Sequence, residues 1–510
     1  MTSPLPLTEQ TLSRAEKTAW TLALGTPAPG ETLQRWLYRT LRQAILDGRL
    51  AEGTLLPGSR TLAQQYGVAR GTVQQAYDQL LSEGYLLAER GSGTRVSRVL
   101  PERSLQAGPA VPHPQPEAAL RPGGPWLRHV GAEAPAFPLH PSDSLPPPFH
   151  PHRCDVRSFP VDLWRRLHGR HLRPSRLAIL SENPPAGRPA LRAAIARHLD
   201  LARGVSVSPD QIVVLGSVQQ ALDICLRLLV EPGDAVWMED PGYPGASQAL
   251  RAYGARVVDV PVDGAGLQVA EGERLAPAAR LAYVTPARQA PLGMALSPER
   301  RLALLRWARE QGAVIFEDDY DSEYRFSARP VPALRSMEGG DTHVVLAGTF
   351  SKLLFPAIRI AFVALPWQLV DPFVRAASLA ARNANALTQA VLADFIDEGH
   401  FDRHVRRMRR VYAGRAAAFE DAARRHWEGL IAVPPITAGL DVVTRLLAHE
   451  ERDAWQRLAA SGLSAFPLGR YTARAVQPPS LVMGFAAFDE AQIEAGARAA
   501  AAALRGPGPG

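Results

Sequence analysis

The stretch Gly348-Thr349-Phe350-Ser351-Lys352 constrains this chain more than any other. It follows Val344-Val345-Leu346-Ala347, an apolar run with the length and composition of a buried strand. A lysine at the end of such a strand, flanked by hydroxyls, is poorly placed for a hydrated charge. Burial lowers an amine's pKa, and a neutral amine attacks an aldehyde to form a Schiff base. Taken alone, Ser-x-Lys more often marks a surface lysine after a strand. Arg359, seven residues on, supplies the second half of the signal, because a guanidinium beside small hydroxyls makes a phosphate clamp. Together the two describe a pyridoxal-phosphate site.

The rest of the chain is large enough to build such a site. Its 510 residues suggest roughly two to four domains. A hydrophobic fraction of 46% is ample for a large core. No apolar run reaches the ~18 residues of a membrane span, and the N-terminus lacks a signal-peptide pattern. Cys154 and Cys225 fall outside any metal-ligand spacing, which points to a reduced cytoplasm and to no metal. The net charge of +7 and a pI near 9.7 permit a polyanionic partner without requiring one.

Residues 1–30 carry no periodic pattern and read as a flexible arm. From Glu31 the pattern turns helical, with Leu33, Leu37, Leu41, Ile45 and Leu46 at helical spacing up to Gly48. Pro57-Gly58-Ser59 breaks the chain, and Ser59 suits the N-cap of a short helix, Arg60 to Tyr66. Gly67-Val68 turns, and Ala69-Arg70-Gly71-Thr72-Val73 opens a third helix running to about Glu83. Short helix, turn and longer helix is the helix-turn-helix arrangement, whose second helix lies in the major groove of DNA. Tyr85-Leu86-Leu87 and Thr94-Arg95-Val96 would form a wing with Gly91-Ser92-Gly93 at its tip. Residues 31–98 hold nine Lys and Arg against six Asp and Glu, so charge alone does not call for DNA. The pattern does, with a small protein-interaction domain as the alternative.

Residues 99–150 are rich in proline and read as a semi-rigid spacer between domains. From there to about residue 505, helix and strand alternate as in an α/β domain with a mostly parallel sheet. Gln211 to Leu215 reads as a strand. Gly216-Ser217-Val218-Gln219 then opens a helix whose free N–H groups suit a phosphate, although many strand-helix turns look the same. Val236 to Asp240 delivers Tyr243 into a turn, where it would stack on a flat ring or simply pack in the core. Val314-Ile315-Phe316-Glu317-Asp318-Asp319 is more specific. Acids at the end of a buried strand are costly without a partner, and a protonated pyridine nitrogen is such a partner. The Arg-rich stretch His404 to Arg410 reads as a solvated or interface face.

The segments PGSRTLAQQYGVARGTVQQAYDQLLSEGYLLAERGSGTRV, EDPGYPG, FEDDYDSEYRF and GTFSKLLFPAIRIAF carry a resemblance that covers nearly the whole chain. The chain resembles the MocR/GabR family, a GntR-type winged helix fused to a fold-type I aminotransferase-like domain. The resemblance implies Lys352 as the Schiff-base lysine and Asp318 as the pyridinium partner. It implies Tyr320 on the phenolic oxygen, Tyr243 on the ring, and Thr349 and Arg359 on the phosphate with the amides of Ser217, Val218 and Gln219. In the winged helix it implies DNA contacts by Arg60, Arg70, Gly71, Thr72 and Gly93. It also implies a homodimer acting on an operator in double-stranded DNA, with pyridoxal phosphate or a small amino compound as effector.

Several positions depart from the family pattern. Ala69 stands where serine is common, Val218 where a phosphate-binding serine is common, and Asp441 where histidine is usual. Arg288 and Leu292 replace a histidine and a threonine. The stretch Ser480 to Phe485 lacks the arginine with which aminotransferases grip a substrate carboxylate. Two functions compete on this reading: a transcriptional regulator whose cofactor domain senses, and a working aminotransferase with a regulatory appendage. Arg288 either anchors an anionic effector or pairs with an acid such as Asp441.

Overall fold

Leu37, Leu41, Ala44 and Ile45 recur on one face of a helix, and that face forms the centre of the N-terminal unit. The computed structural model describes residues 26–28, 30–89, 93–98, 146–181, 183–326, 332–381 and 384–506. The expected arm up to residue 25, the spacer from 99 to 145 and the tip of the wing lie outside these. The chain divides into two units between Leu120 and Arg121, and each is described by itself.

In the first unit, α1 (Leu33–Leu46) starts at Thr32, whose hydroxyl accepts the N–H of Arg35. Helix α2 (Ser59–Tyr66) and helix α3 (Arg70–Ser82) are separated by a turn in which Gly67 adopts a φ of 64°, conformation that costs glycine little. Ser59 is the first residue of α2 rather than its cap, and Gly58 holds the cap position without a side-chain bond. Val73, Ala76, Tyr77 and Leu80 of α3 pack onto α1, and the Tyr77 hydroxyl donates to the Pro57 carbonyl at 2.9 Å. The wing, β2 (Leu86–Glu89) with β3 (Gly93–Val96), is antiparallel. A two-residue strand, β1 (Leu55–Leu56), extends it through β3. This strand lies in the break between helices and was not expected.

In the second unit the described residues form an eight-stranded sheet. Its strands are β4 (Ile212–Leu215), β5 (Ala235–Asp240), β6 (Arg256–Asp263), β7 (Gly266–Leu267), β8 (Leu281–Val284), β9 (Val314–Asp319), β10 (Val344–Thr349) and β11 (Ala361–Ala364). Their order is β4-β11-β10-β9-β8-β5-β6-β7. Pairs from β10 to β6 are parallel, while β11 runs against both of its neighbours. Strands β4, β5, β8 and β10 are buried along all or nearly all of their length, as the unbroken apolar runs require of a sheet covered on both faces. A smaller antiparallel sheet holds β12 (Ile431–Ala432), β13 (Asp441–Leu446), β14 (Phe466–Pro467) and β15 (Ser480–Gly484), in the order β12-β13-β15-β14. The helix His400–His426 buries His404 and exposes Arg403, Arg406, Arg407 and Arg410.

Composition places Pro146 to His150 at the end of the spacer, but in the structure they pack against the second unit. Phe149 is fully buried, edge-on to Phe419 and Trp427 with centroids 5.5 and 5.9 Å away. Gly484 donates its N–H to the Phe149 carbonyl, and a Cβ on Gly484 would lie 2.2 Å from the His150 carbonyl oxygen. A fully buried phenylalanine contributes a few kcal/mol, enough to turn a proline-rich stretch into a strap across the small sheet.

Candidate functional site

The parallel strands carry their ends to one edge of the large sheet, the place where folds of this kind present ligand-binding groups. Strand β4 leads to Ser217, β5 to Tyr243, β9 to Asp318 and Tyr320, and β10 to Thr349 and Lys352. Ala347 pairs in register with Asp318 and Gly348 with Asp319, so the lysine turn and the acidic strand leave the sheet side by side. The sequence-derived cofactor residues therefore stand together on one edge, including Arg359, which is exposed after a short 3-10 turn and lies two residues before Ala361, the register partner of Thr349.

The acids of β9 differ in their partners. Glu317 accepts the N–H groups of Leu334 and Arg335. Asp319 faces the buried Arg203 at 2.8 Å. Asp318 has only a neutral partner: the Tyr283 hydroxyl donates to its Oδ2 at 2.5 Å, while its buried Oδ1 accepts nothing. Burial raises the Asp318 pKa to about 7, against the opposing influence of Tyr283 and of the Lys352 charge. A carboxylate oxygen left unpaired in this way fits a cationic ring N–H, which would satisfy it and hold the acid ionised. The residues present therefore fit the pyridine ring of pyridoxal phosphate.

Lys352 lies in the turn after β10, and its Nζ donates to the carbonyl of His152 at 2.7 Å. Burial lowers its pKa, which raises the fraction of nucleophilic amine at neutral pH. Tyr243 caps the helix Pro244–Tyr253, and its ring covers Gly245. A Cβ on Gly245 would come within 2.6 Å of that ring. Gln219 Nε2 holds the Gly245 carbonyl at 2.7 Å, tying the two loops together. Burial raises the Tyr243 pKa, with nearby Asp318 adding to the rise and Arg359 opposing it.

At the expected phosphate end, Ser217 caps the helix Val218–Leu229 and accepts the Gln220 N–H at 3.1 Å. The N–H groups of Val218 and Gln219, in the first turn, have no partner within the helix. Val218 contributes no hydroxyl, so any anion bond there comes from backbone. Thr349 Oγ1 accepts the Ser351 N–H at 3.1 Å, shaping the turn that carries the lysine. Arg359 has a φ of 49°, in the left-handed region, where a non-glycine residue is uncommon.

Arg288 is 4% exposed and fully engaged at its tip. Nη1 donates to the Tyr320 hydroxyl at 2.8 Å and to Asp321 at 3.1 Å. Nη2 donates to the Asp441 carbonyl at 2.7 Å and to its Oδ1 at 3.0 Å. Of the two alternatives for Arg288, the structure holds the paired one. Electrostatic attraction to the His152 and Arg288 side chains, together with their hydrogen bonds, overcomes burial and holds Asp441 well below the usual carboxylate range. His152 was not singled out in the sequence, because it lies in a proline-rich stretch with no periodicity. Tyr283 was also missed, and its signal was a lone phenol in the apolar strand Leu281–Val284, whose hydroxyl needs a partner.

In the first unit, Arg70, Gly71 and Thr72 open α3, and Arg60 lies in the first turn of α2. Arg60, Arg70 and Gly71 are exposed, and Thr72 is half-buried. Arg70 Nε donates to the Ser59 hydroxyl at 3.4 Å, linking the two helix starts. Ala69 caps α3 without a side-chain bond. Gly93 opens β3 with a φ of 93° and is exposed.

A helix-turn-helix with a wing, joined to an aminotransferase fold whose lysine and acid edge are intact, defines a class of DNA-binding regulator. Residues 33–96 match the family described as bacterial regulatory proteins, gntR family, and residues 179–499 match aminotransferase class I and II. The chain is 40% identical over 465 residues to the probable rhizopine catabolism regulatory protein MocR of Rhizobium meliloti, covering 91% of this chain and 92% of that one. It is 31% identical to the pyridoxine biosynthesis regulator PdxR of Corynebacterium glutamicum, covering 89% and 92%. Among solved structures it is similar to the α-aminoadipate aminotransferase LysN of Thermus thermophilus, with a TM-score of 0.64 and 27% identity over 70% of this chain and 91% of that one. The kynurenine aminotransferase of Pyrococcus horikoshii, at 24% identity and a TM-score of 0.65, shares the fold. The chain belongs to the MocR-type regulators, and its function is transcriptional regulation through a GntR-type DNA-binding domain joined to an aminotransferase-like domain. Among the described residues, no helix is long and apolar enough to cross a membrane.

Proposed function

We propose that the second unit holds pyridoxal 5'-phosphate on Lys352, and that the protein acts on operator DNA as a cytoplasmic homodimer answering to pyridoxal phosphate or a small amino compound. The observation that carries the cofactor reading is the buried Asp318 oxygen without a partner, on the same sheet edge as a lysine of lowered pKa. When bound, the cofactor supplies an aldehyde for an amine and a pyridinium that withdraws electrons.

The chain's own residues do the rest. Asp318 accepts the ring N–H and stays ionised, with the Tyr283 hydroxyl holding its other oxygen. Tyr320, oriented by Arg288, offers its hydroxyl to the phenolic oxygen. Tyr243 covers the ring. Ser217, Val218, Gln219, Thr349 and Arg359 bind the phosphate, with the helix N-terminus adding its dipole. On the DNA side, Arg60, Arg70, Gly71 and Thr72 face the major groove at the start of the recognition helix, with Gly93 on the wing. The relative PdxR, named for the regulation of pyridoxine biosynthesis, lends weight to pyridoxal phosphate as the signal.

The test is a footprint on DNA upstream of the protein's own gene, with and without pyridoxal phosphate. The expected result is protection whose extent or affinity changes with the cofactor in wild type and does not change in Lys352→Ala. Identical footprints for wild type in both conditions would refute the sensing role.

A further inference from the structure

Val73, Ala76, Tyr77 and Leu80 turn one face of α3 inward, which leaves Arg70, Gly71, Gln74, Gln75 and Asp78 exposed on the other. At 3.6 residues per turn these five fall in a band about 140° wide down the outer side of the helix. Gly71 and Asp78 run along its middle. A Cβ on Gly71 would meet nothing within 4 Å, so packing does not require a glycine there. Glycine also weakens a helix relative to alanine. What it provides is a gap through which the first turn can come close to the edges of bases.

An acid on this band is out of keeping with a surface that meets phosphates, because its charge repels them. Asp78 has one side-chain bond among the described residues: Gln74 Nε2 donates to its Oδ1 at 3.0 Å. The same spacing recurs at Gln79 and Glu83, but there Glu83 also takes the Tyr38 hydroxyl and ties α3 to α1. The bond at Asp78 joins no second helix, and its effect falls on Gln74. A carboxylate only accepts, so the Gln74 amide turns its nitrogen toward Asp78 and its carbonyl oxygen away. One N–H is held by the acid, while one N–H and the oxygen remain. In the major groove adenine shows an acceptor, N7, beside a donor, the N6 amino group, whereas guanine shows two acceptors, N7 and O6. The groups left on Gln74 match adenine. Against guanine its oxygen would meet O6, acceptor to acceptor, and the N–H that could take its place is held by Asp78.

We propose that Gln74 is a specificity-determining residue that reads an adenine in the major groove of each operator half-site, and that Asp78 is the positioning residue that makes it refuse guanine. The inference rests on the reading of the winged helix as the DNA-contacting surface and goes beyond it by naming a base. The acid weakens attraction to the DNA backbone and in return discriminates between the two purines. Asp78→Ala removes both effects. Asp78→Asn removes the charge but keeps an oxygen that accepts the Gln74 amide.

The experiment selects binders for the full chain, with and without pyridoxal phosphate, from double-stranded DNA with a randomised centre. Base preferences at each position are compared among wild type, Gln74→Ala, Asp78→Ala and Asp78→Asn. Both positions are exposed, so these substitutions leave the core of the unit untouched. Wild type is expected to favour adenine over guanine at one position of each half-site by about five- to a hundredfold, the size of a good bidentate contact. Gln74→Ala should lose that preference and keep the others. Asp78→Ala should admit guanine at the same position and bind random DNA more tightly. Asp78→Asn should also bind random DNA more tightly, yet still demand adenine. A purely electrostatic or helix-stabilising role for Asp78 would shift all sequences together and leave base preferences alone. Preferences unchanged in Gln74→Ala or in Asp78→Ala overturn the proposal. So does a base other than adenine at the position that Gln74→Ala relaxes, or an Asn variant that admits guanine as the Ala variant does. A wild-type chain that enriches no sequence refutes the operator reading itself and is distinguishable from all of these.

Discussion

Replacing Asp318 by Asn should stabilise the cofactor-free protein at alkaline pH while abolishing tight cofactor binding. In the folded chain, burial raises this acid from the ordinary 3.8 to about 7. The folded state therefore binds a proton more readily than the unfolded state, and stability declines as pH rises from about 4 through 7. Above both values the penalty approaches about 4 kcal/mol, an upper bound at about 1.4 kcal/mol per pKa unit. Asn keeps an oxygen for the Tyr283 hydroxyl and carries no charge. Urea unfolding of cofactor-free wild type and Asp318→Asn at pH 5 and pH 8 measures the difference directly. The advantage of the Asn protein should grow by about 2–3 kcal/mol between those pH values. Added pyridoxal phosphate should reverse the order, raising the wild-type midpoint and leaving that of Asp318→Asn almost unmoved. An advantage independent of pH, or an Asn protein less stable than wild type at pH 8, would refute the idea that this charge is held in place for a cation.

Arg70→Ala should cost about 1–3 kcal/mol of operator affinity and relax specificity at one base pair if the guanidinium grips a base edge. A uniform loss on all sequences with a flatter salt dependence would instead mark a phosphate contact, and equal affinity would exclude both. Phe149→Ala should destabilise the second unit by about 3–5 kcal/mol, because it empties a site closed by Phe419 and Trp427. Chemical denaturation measures this, and a loss under 1 kcal/mol would mean that the strap is not part of the core. The proposed homodimer should bind a DNA fragment with two half-sites far more tightly than one with a single half-site. A monomer by light scattering at micromolar concentration would contradict it.

The parts of this fold that were legible in the sequence are those written in local patterns. The unbroken apolar runs ending at Leu215, Asp240, Asp319 and Ala347 became neighbouring or near-neighbouring strands because a strand buried on both faces has no polar side to show. The helix-turn-helix was legible from the break at Pro57-Gly58-Ser59, the Gly67-Val68 turn and the run Ala69 to Val73 that opens the third helix. What was not legible depends on contacts distant in sequence. Strand β1 is two residues long and forms only because β3 offers it an edge. The strap is proline-rich, and nothing local separates Phe149 from the spacer before it. Its place is set by Trp427 and Gly484, hundreds of residues away. His152 is hidden for the same reason, since its partners Lys352, Asp441 and Tyr471 come from three different parts of the chain. The choice between anchor and ion pair for Arg288 also needed the fold, which brings Asp321 and Asp441 to the same guanidinium.

The proposed function depends on attachment of pyridoxal phosphate to Lys352. Borohydride reduction of the loaded full chain, followed by digestion and mass spectrometry, tests it most directly. A phosphopyridoxyl label is expected on the peptide carrying Lys352, at one equivalent per chain at most, and no label there or elsewhere in Lys352→Ala. Label on Lys17, the other lysine in the chain, or equal labelling of wild type and Lys352→Ala, would contradict it.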